Sequence, residues 1–139
     1  SAEIALLEKC TYKNTEKISW MGQKKYAKCV KVYDGDTATF AFIPSPGAAP
    51  ARASCRMIGY NSAEVKGKGI TTEEKAKGQE ARKALDDYIM NKIVMLEFGD
   101  DDKYGRPLVR VFVGGEDINK AMVDNGFGKP YLGKGEKNW

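Results

Sequence analysis

Three clusters in this 139-residue chain carry the residue types that do chemistry. The first is Asp34-Gly35-Asp36-Thr37, two carboxylates and a hydroxyl around a glycine, with strand-prone runs on both sides. Asp-Gly between apolar runs is first a hairpin signal, because glycine accepts positive φ and aspartate tolerates it. Read alone, a plain tight turn is the better reading of it. The second cluster is Arg56, followed by Asn61 and Glu64, and the third is Asp102-Lys103-Tyr104-Gly105-Arg106. Together, hard oxygen donors, two guanidinium groups and an acid able to take a proton point to phosphodiester cleavage.

Asp36, at the tip of the predicted hairpin, can offer a hard oxygen ligand of the kind that selects Ca²⁺ or Mg²⁺. Asp34 is expected to shape the turn or support the ligand rather than bind metal itself. Arg56 lies on a predicted strand, in alternation with core residues, where an arginine is either a snorkelling surface residue or a functional cation. Arg106 follows Gly105 in a tight turn, so the backbone can bend and the guanidinium reach inward. With Arg56 it would clamp charge developing on phosphorus. Lys103, Tyr104 and Tyr131 are candidates for phosphate and base contacts, since an aromatic face stacks bases without sequence preference. Tyr131 could equally anchor the tail.

Composition removes several alternatives. The chain has no histidine, which excludes His general-base chemistry, Ser-His-Asp and Cys-His nucleophiles and His-ligated zinc. Lys and Arg total 23 against 19 Asp and Glu, a net charge of +4 that permits a polyanionic partner without demanding one. No apolar run approaches the length of a membrane span, so no membrane partner is expected. Cys10, Cys29 and Cys55 form no Cys-x-x-Cys pair and read as free thiols in a reducing compartment. A cytoplasmic location follows, with secretion after removal of a leader as the alternative, because Ser1 stands where an initiator Met would.

The elements that must position these residues are legible in outline. Residues 1–23 read as an arm in which Ile4 to Leu7 could begin a short helix, and residues 24–139 as one domain. Lys24 to Tyr33 is a predicted strand, with Tyr26, Val30 and Val32 on its apolar face. Thr37 to Ile43 is a second, with Ala38, Phe40 and Phe42 inward. A loop of three prolines (Pro44, Pro46, Pro50) leads to a third strand over Arg52 to Gly59. Thr71, with Glu74 three positions on, opens a helix as a capping box, and the helix runs to about Met90. Lys92 to Phe98 and Leu108 to Val113 are further strands. Asp117 to Asn125 is a short helix stopped by Gly126. Three strands, a helix, two strands and a helix match an α+β fold: a five-stranded barrel of the oligonucleotide-binding (OB) type.

On these three clusters, in this order and at these spacings, the sequence resembles the staphylococcal nuclease (thermonuclease-like) family from about Lys24 to Tyr131. The resemblance implies a Ca²⁺-dependent phosphodiesterase acting on DNA and RNA with little sequence preference. It implies that Arg56 contacts the scissile phosphate and that Glu64 holds or deprotonates the attacking water. It also implies a metal held by Asp36, Asn61 and Ser62. Single-stranded substrate is expected to be preferred and the protein to be a monomer. Two departures stand out. Asn61-Ser62-Ala63 replaces the family's Asp-Thr-Pro, so one ligand charge is lost. Only eight residues follow Tyr131, leaving little room for the family's C-terminal helix, with Trp139 as a partial substitute. The alternative reading is a catalytically weak or inactive member that binds nucleic acid or protein.

Overall fold

The computed structural model describes residues 1–63 and 69–131. Its elements in chain order are α1 (Ala2–Glu8), β1 (Lys24–Asp34), β2 (Thr37–Phe42), β3 (Ala51–Met57), β4 (Tyr60–Asn61), α2 (Thr72–Ile89), β5 (Ile93–Asp101), β6 (Pro107–Val113), β7 (Glu116–Asp117), α3 (Ile118–Asp124) and β8 (Lys129–Pro130). β1, β2 and β3 form an antiparallel meander, and β1 also pairs antiparallel with β5, which pairs with β6. Parallel contacts of Arg56 with Leu108 and of Met57 with Val109 then join β3 to β6. That junction closes five strands into an OB-type barrel, the α+β architecture implied by the element order.

Alternation along the strands fills the barrel. Ala38, Phe40 and Phe42 point inward from β2, as expected, and meet Cys55 and Met57 of β3 and Leu96 and Phe98 of β5. Full burial of each large apolar side chain contributes roughly 1.5–3 kcal/mol. The inward face of β1 differs from expectation. Ala27, Cys29 and Val32 are buried, whereas Tyr26 is 73% and Val30 37% exposed. The cause is a bulge between Cys29 and Lys31, which inserts one residue and switches the inward positions from odd to even. A strict two-residue alternation cannot show such an insertion.

α2 begins where the sequence placed it. The Thr71 side chain accepts a hydrogen bond from the Glu74 amide at 3.1 Å, and Gly78, Ala81, Leu85 and Ile89 recur at helical spacing as its buried stripe against β1. In α3, Asp117 caps the start, and Gly126 at φ +81° turns the chain out of the helix. The arm does form a helix, α1, over Ala2–Glu8, with no residue buried. Its far end is pinned where Trp20 packs on Phe42 and Phe98, with ring centroids 5.6 and 5.9 Å away. The three cysteines are free: Cys10 is exposed, and burial pushes the Cys29 and Cys55 thiols up to about 11 and about 12. No described helix is long and apolar enough to cross a membrane. Glu64 and the tail after Tyr131, Trp139 included, lie outside the described residues.

Candidate active site

The hairpin joining β1 to β2 carries Gly35 and Asp36 at its tip. Its geometry corrects one expectation, for Gly35 is not among the glycines at positive φ. Glycine stands there because of crowding. A Cβ would sit 2.6 Å from the Ala81 Cβ of α2 and 2.7 Å from the Ser62 Cβ. The helix and the segment after β4 are thus pressed directly on the turn. Asp34 shapes it, as expected: its Oδ1 accepts from the Asp36 amide at 3.2 Å.

Asp36 is 3% exposed and held from several sides. The Thr37 hydroxyl donates to its Oδ1 at 3.1 Å, and the Ser62 amide donates to its Oδ2 at 3.0 Å. The Arg56 guanidinium lies 3.3 Å from the same Oδ2 and also donates to the Asn61 side-chain oxygen and, at 3.2 Å, to the Tyr60 carbonyl. So the fold brings Asp36, Asn61, Ser62 and Arg56 together. Burial first, and then the hydrogen bond and negative charge of Asp36, hold the Asp34 carboxyl well above the ordinary carboxylate range. Two acids this close in a desolvated pocket resist carrying two charges, and the Arg56 guanidinium faces the charge on Asp36.

Tyr60 was not singled out in the sequence, and it proves central. Its ring is 1% exposed, and its hydroxyl donates to the Gly35 carbonyl at 2.7 Å, tying β4 to the hairpin tip. Burial, then the charges of Asp36 and Asp34, raise its hydroxyl well above the usual tyrosine value, so it stays a neutral donor. Gly128 accommodates that ring, since a Cβ there would meet Tyr60 Cδ2 at 2.3 Å. The signal available in the sequence was an aromatic between Gly59 and the polar Asn61-Ser62 pair. Asn119 was likewise passed over. Buried in α3, it accepts from the Val111 amide and donates to the carbonyls of Ile58 and Val109, fastening the strand ends beneath the site.

The Asp102-to-Arg106 stretch forms the tight turn expected of it. Gly105 lies at φ +81° and its amide donates to the Asp102 carbonyl at 3.0 Å. One oxygen of Asp102 accepts from the Tyr104 and Arg106 amides, and the other accepts from Arg106 Nε at 2.8 Å. Tyr104 is 73% exposed, with Lys103 Nζ 5.2 Å and the Arg106 guanidinium 5.5 Å from its ring centroid. Behind the turn, β8 pairs with β4 and the Tyr131 amide donates to the Gly59 carbonyl at 2.9 Å. Tyr131 is thereby brought to the wall of a cleft of about 440 Å³ that also holds Arg56, Lys103, Tyr104 and Arg106.

Arg56 therefore stands between two groups: the buried oxygens of Asp36 and Asn61 behind it, and the basic, aromatic cleft before it. With that arrangement in view, the comparisons with known proteins decide the family. Residues 54–138 match the family model described as staphylococcal nuclease homologue. The chain belongs to the staphylococcal nuclease family. It is also 31% identical over 111 residues to a protein of Haemophilus influenzae named an uncharacterized endonuclease. That alignment takes in 78% of this chain and 54% of the relative, so the chain spans about half the length of the relative it matches. The match to the family model begins at Ser54, after the Asp34–Thr37 hairpin, which pairs with β3 from outside the matched segment.

Proposed function

We propose that this member of the staphylococcal nuclease family is a metal-dependent nuclease hydrolysing phosphodiester bonds of DNA and RNA, with Ca²⁺ as cofactor and single strands preferred. One observation carries the reading. Arg56 joins a buried oxygen cluster to a cleft that gathers Arg106, Lys103, Tyr104 and Tyr131. The donor chemistry of that cluster fits a hard divalent cation, for Asp36 and Asn61 offer oxygen and the chain has no histidine. Asp36, Asn61 and Ser62 would hold the ion. When bound, it would neutralise charge on the phosphate and its attacking oxygen.

The protein's own groups do the rest. Arg56 and Arg106 would bind the scissile phosphate and stabilise the extra charge of the pentavalent transition state, a planar fork suiting paired oxygens. Asp102 keeps Arg106 aimed by its 2.8 Å bond. Glu64 would take the proton of the attacking water, a role typically worth 10²–10⁴ in rate. Tyr104 and Tyr131 would hold flanking bases by their faces, which favours unpaired strands.

A second reading has its own observation. Among the described residues no three of His, Cys, Asp and Glu gather in a metal-binding group, and Arg56 already occupies Asp36 and Asn61. A weak or inactive binding module would look like this as well. Degradation of single-stranded DNA and of RNA with Ca²⁺, Mg²⁺ or chelator separates the two. Ca²⁺-stimulated cleavage is expected. Full activity in excess chelator would sink the metal, and binding without cleavage under every condition would establish the module.

A further inference from the structure

The bulge that buries Val32 leaves a distinctive outward face on β1. Lys24, Tyr26, Lys28, Lys31 and Tyr33 all meet solvent there. Lysines commonly guard edge strands against unwanted pairing. β1 pairs with β5 over Lys24–Lys28 and with β2 over Lys28–Asp34, so that explanation fails at Lys28, which is paired on both sides. A merely solvated face does not account for the tyrosines either.

Residues directly opposite across a sheet share a face, so the register arranges that face in rows. One row is Lys28, Ala41 and Arg52; the next is Lys31, Thr39 and Ser54; the third is Asp34, Thr37 and Arg56. Lys28, Lys31, Arg52 and Ser54 are exposed, while Ala41 and Thr39 on the middle strand are half-buried. The result is a lane of small residues on the middle strand, flanked by Lys28 and Lys31 on one side and Arg52 on the other. Two strand spacings of about 4.8 Å separate the backbones of Lys28 and Arg52, and alternate positions along a strand lie about 6.6 Å apart. That lane ends at the row of Asp34, Thr37 and Arg56. At its other end the surface turns apolar: Tyr26, Ile43 and Ile93 are 73%, 51% and 65% exposed. A cavity of about 440 Å³ lined by Lys24, Tyr26, Ile93 and Phe112 opens beside them. Glu97, opposite Lys24, marks the limit of the positive stretch.

We infer that the β1–β2–β3 face is a binding track for single-stranded nucleic acid beyond the reaction site. The phosphate backbone follows this lane from Arg56 past Lys31 to Lys28 and Arg52, and unpaired bases stack on the Tyr26 platform. Charge complementarity and continuity with the cleft select this occupant, since a row of separated cations fits a row of phosphates and an exposed tyrosine face fits a base. The inference rests on the proposed function, because Arg56 is where the track meets the scissile phosphate.

The test is binding of a fluorescent single strand of about 15 nucleotides, within the range of site sizes for such barrels, to the full chain in excess chelator at several salt concentrations. Lys28→Glu with Arg52→Glu should weaken binding at least about tenfold. Losing two phosphate contacts should also flatten the log–log salt slope by about 1.4. Lys28→Gln with Arg52→Gln should change the slope equally with a smaller loss, and circular dichroism checks both folds. Tyr26→Ala should weaken binding about tenfold with the slope unchanged. A dinucleotide, too short to reach the track, should bind all variants alike. Unchanged affinity and slope in both double variants would overturn the track, and so would equal binding of a polyglutamate of matching charge. Because binding is read without cleavage, the two proposals fail separately. A chain that cuts nothing yet depends on Lys28 and Arg52 keeps the track and loses the hydrolase. A chain whose double variants cut long strands as fast as the wild type keeps the hydrolase and loses the track.

Discussion

The Asp36 end of the site and the Arg106 end are built over different distances along the chain. Ser62 reaches the Asp36 carboxylate from 26 positions away, and Tyr60 reaches the Gly35 carbonyl from 25. Arg106 reaches Asp102 from four. Asp36, Asn61 and Ser62 are buried by the barrel, α2 and the strap of β8, whereas Lys103 and Tyr104 stand in solvent. Geometry made by barrel closure is rigid, and a disturbance there spreads to every element that supplies a wall. Geometry made within one turn is local and tolerant. The proposed nuclease would gain from both, with fixed groups where charge develops and a yielding rim where strands enter.

The comparison breaks most visibly at Arg56. Arg56→Ala should lower cleavage at least about 100-fold, because the guanidinium is proposed to act mainly on the transition state. It should also cost about 3 kcal/mol of stability, since Asp36 would be left buried without its cation. Single-turnover kinetics and urea unfolding read the two effects apart. Near wild-type speed in a destabilised variant would leave Arg56 a purely structural partner of Asp36.

The glycines sharpen the contrast next. Gly35→Ala should cost about 2 kcal/mol and displace Asp36, because the new methyl overlaps Ala81 and Ser62 in a packed interior. Gly105→Ala should cost only about 1 kcal/mol, the strain of a left-handed residue, since nothing lies within 4 Å of a Cβ there. Urea midpoints of the two variants test the order. Equal losses would mean that the two ends are equally tolerant.

Asn61→Asp should tighten Ca²⁺ binding about tenfold in the absence of substrate, because it restores one formal charge at an oxygen site. Calorimetry measures it. No change would remove Asn61 from the metal's ligands, and cleavage found only in this variant would favour the binding module.

The smallest effect belongs to the turn. Burial alone would raise the Asp102 carboxyl, but the Arg106 and Tyr104 amides and then the Arg106 guanidinium outweigh it and hold the group below its ordinary value of 3.8. A depressed carboxyl contributes stability above that value and loses it as pH falls through the lower, folded one. Wild type should therefore exceed Asp102→Asn in stability at neutral pH, with the gap closing only below pH 3.8. A gap that persists at full strength well into acid would disprove the charge as its source.

Much of this site was legible before any coordinates. Asp102 to Arg106 formed as read, because a turn with glycine at a left-handed position and an acid accepting nearby amides needs only its own five residues. The cap at Thr71 and the inward face of β2 followed for the same reason, local geometry acting on neighbouring residues. The absence of histidine likewise removes His general-base chemistry from these 139 residues by composition alone.

What depended on the whole fold is of another kind. Whether Gly35 was needed for its backbone or for the space above it could not be read from Asp-Gly-Asp, because Ala81 and Ser62 crowd it from distant parts of the chain. Tyr60 and Asn119 found their partners only when β4, β6 and α3 met. Tyr26 read as core and lies in solvent, since a bulge shifts the pairing by one residue and leaves no mark in a pattern of alternating types. The sequence by itself determined which groups exist and which turns and helices close on themselves. Tertiary structure decided which groups meet, because contacts between distant residues are set by register, closure and packing of strands that no single stretch specifies.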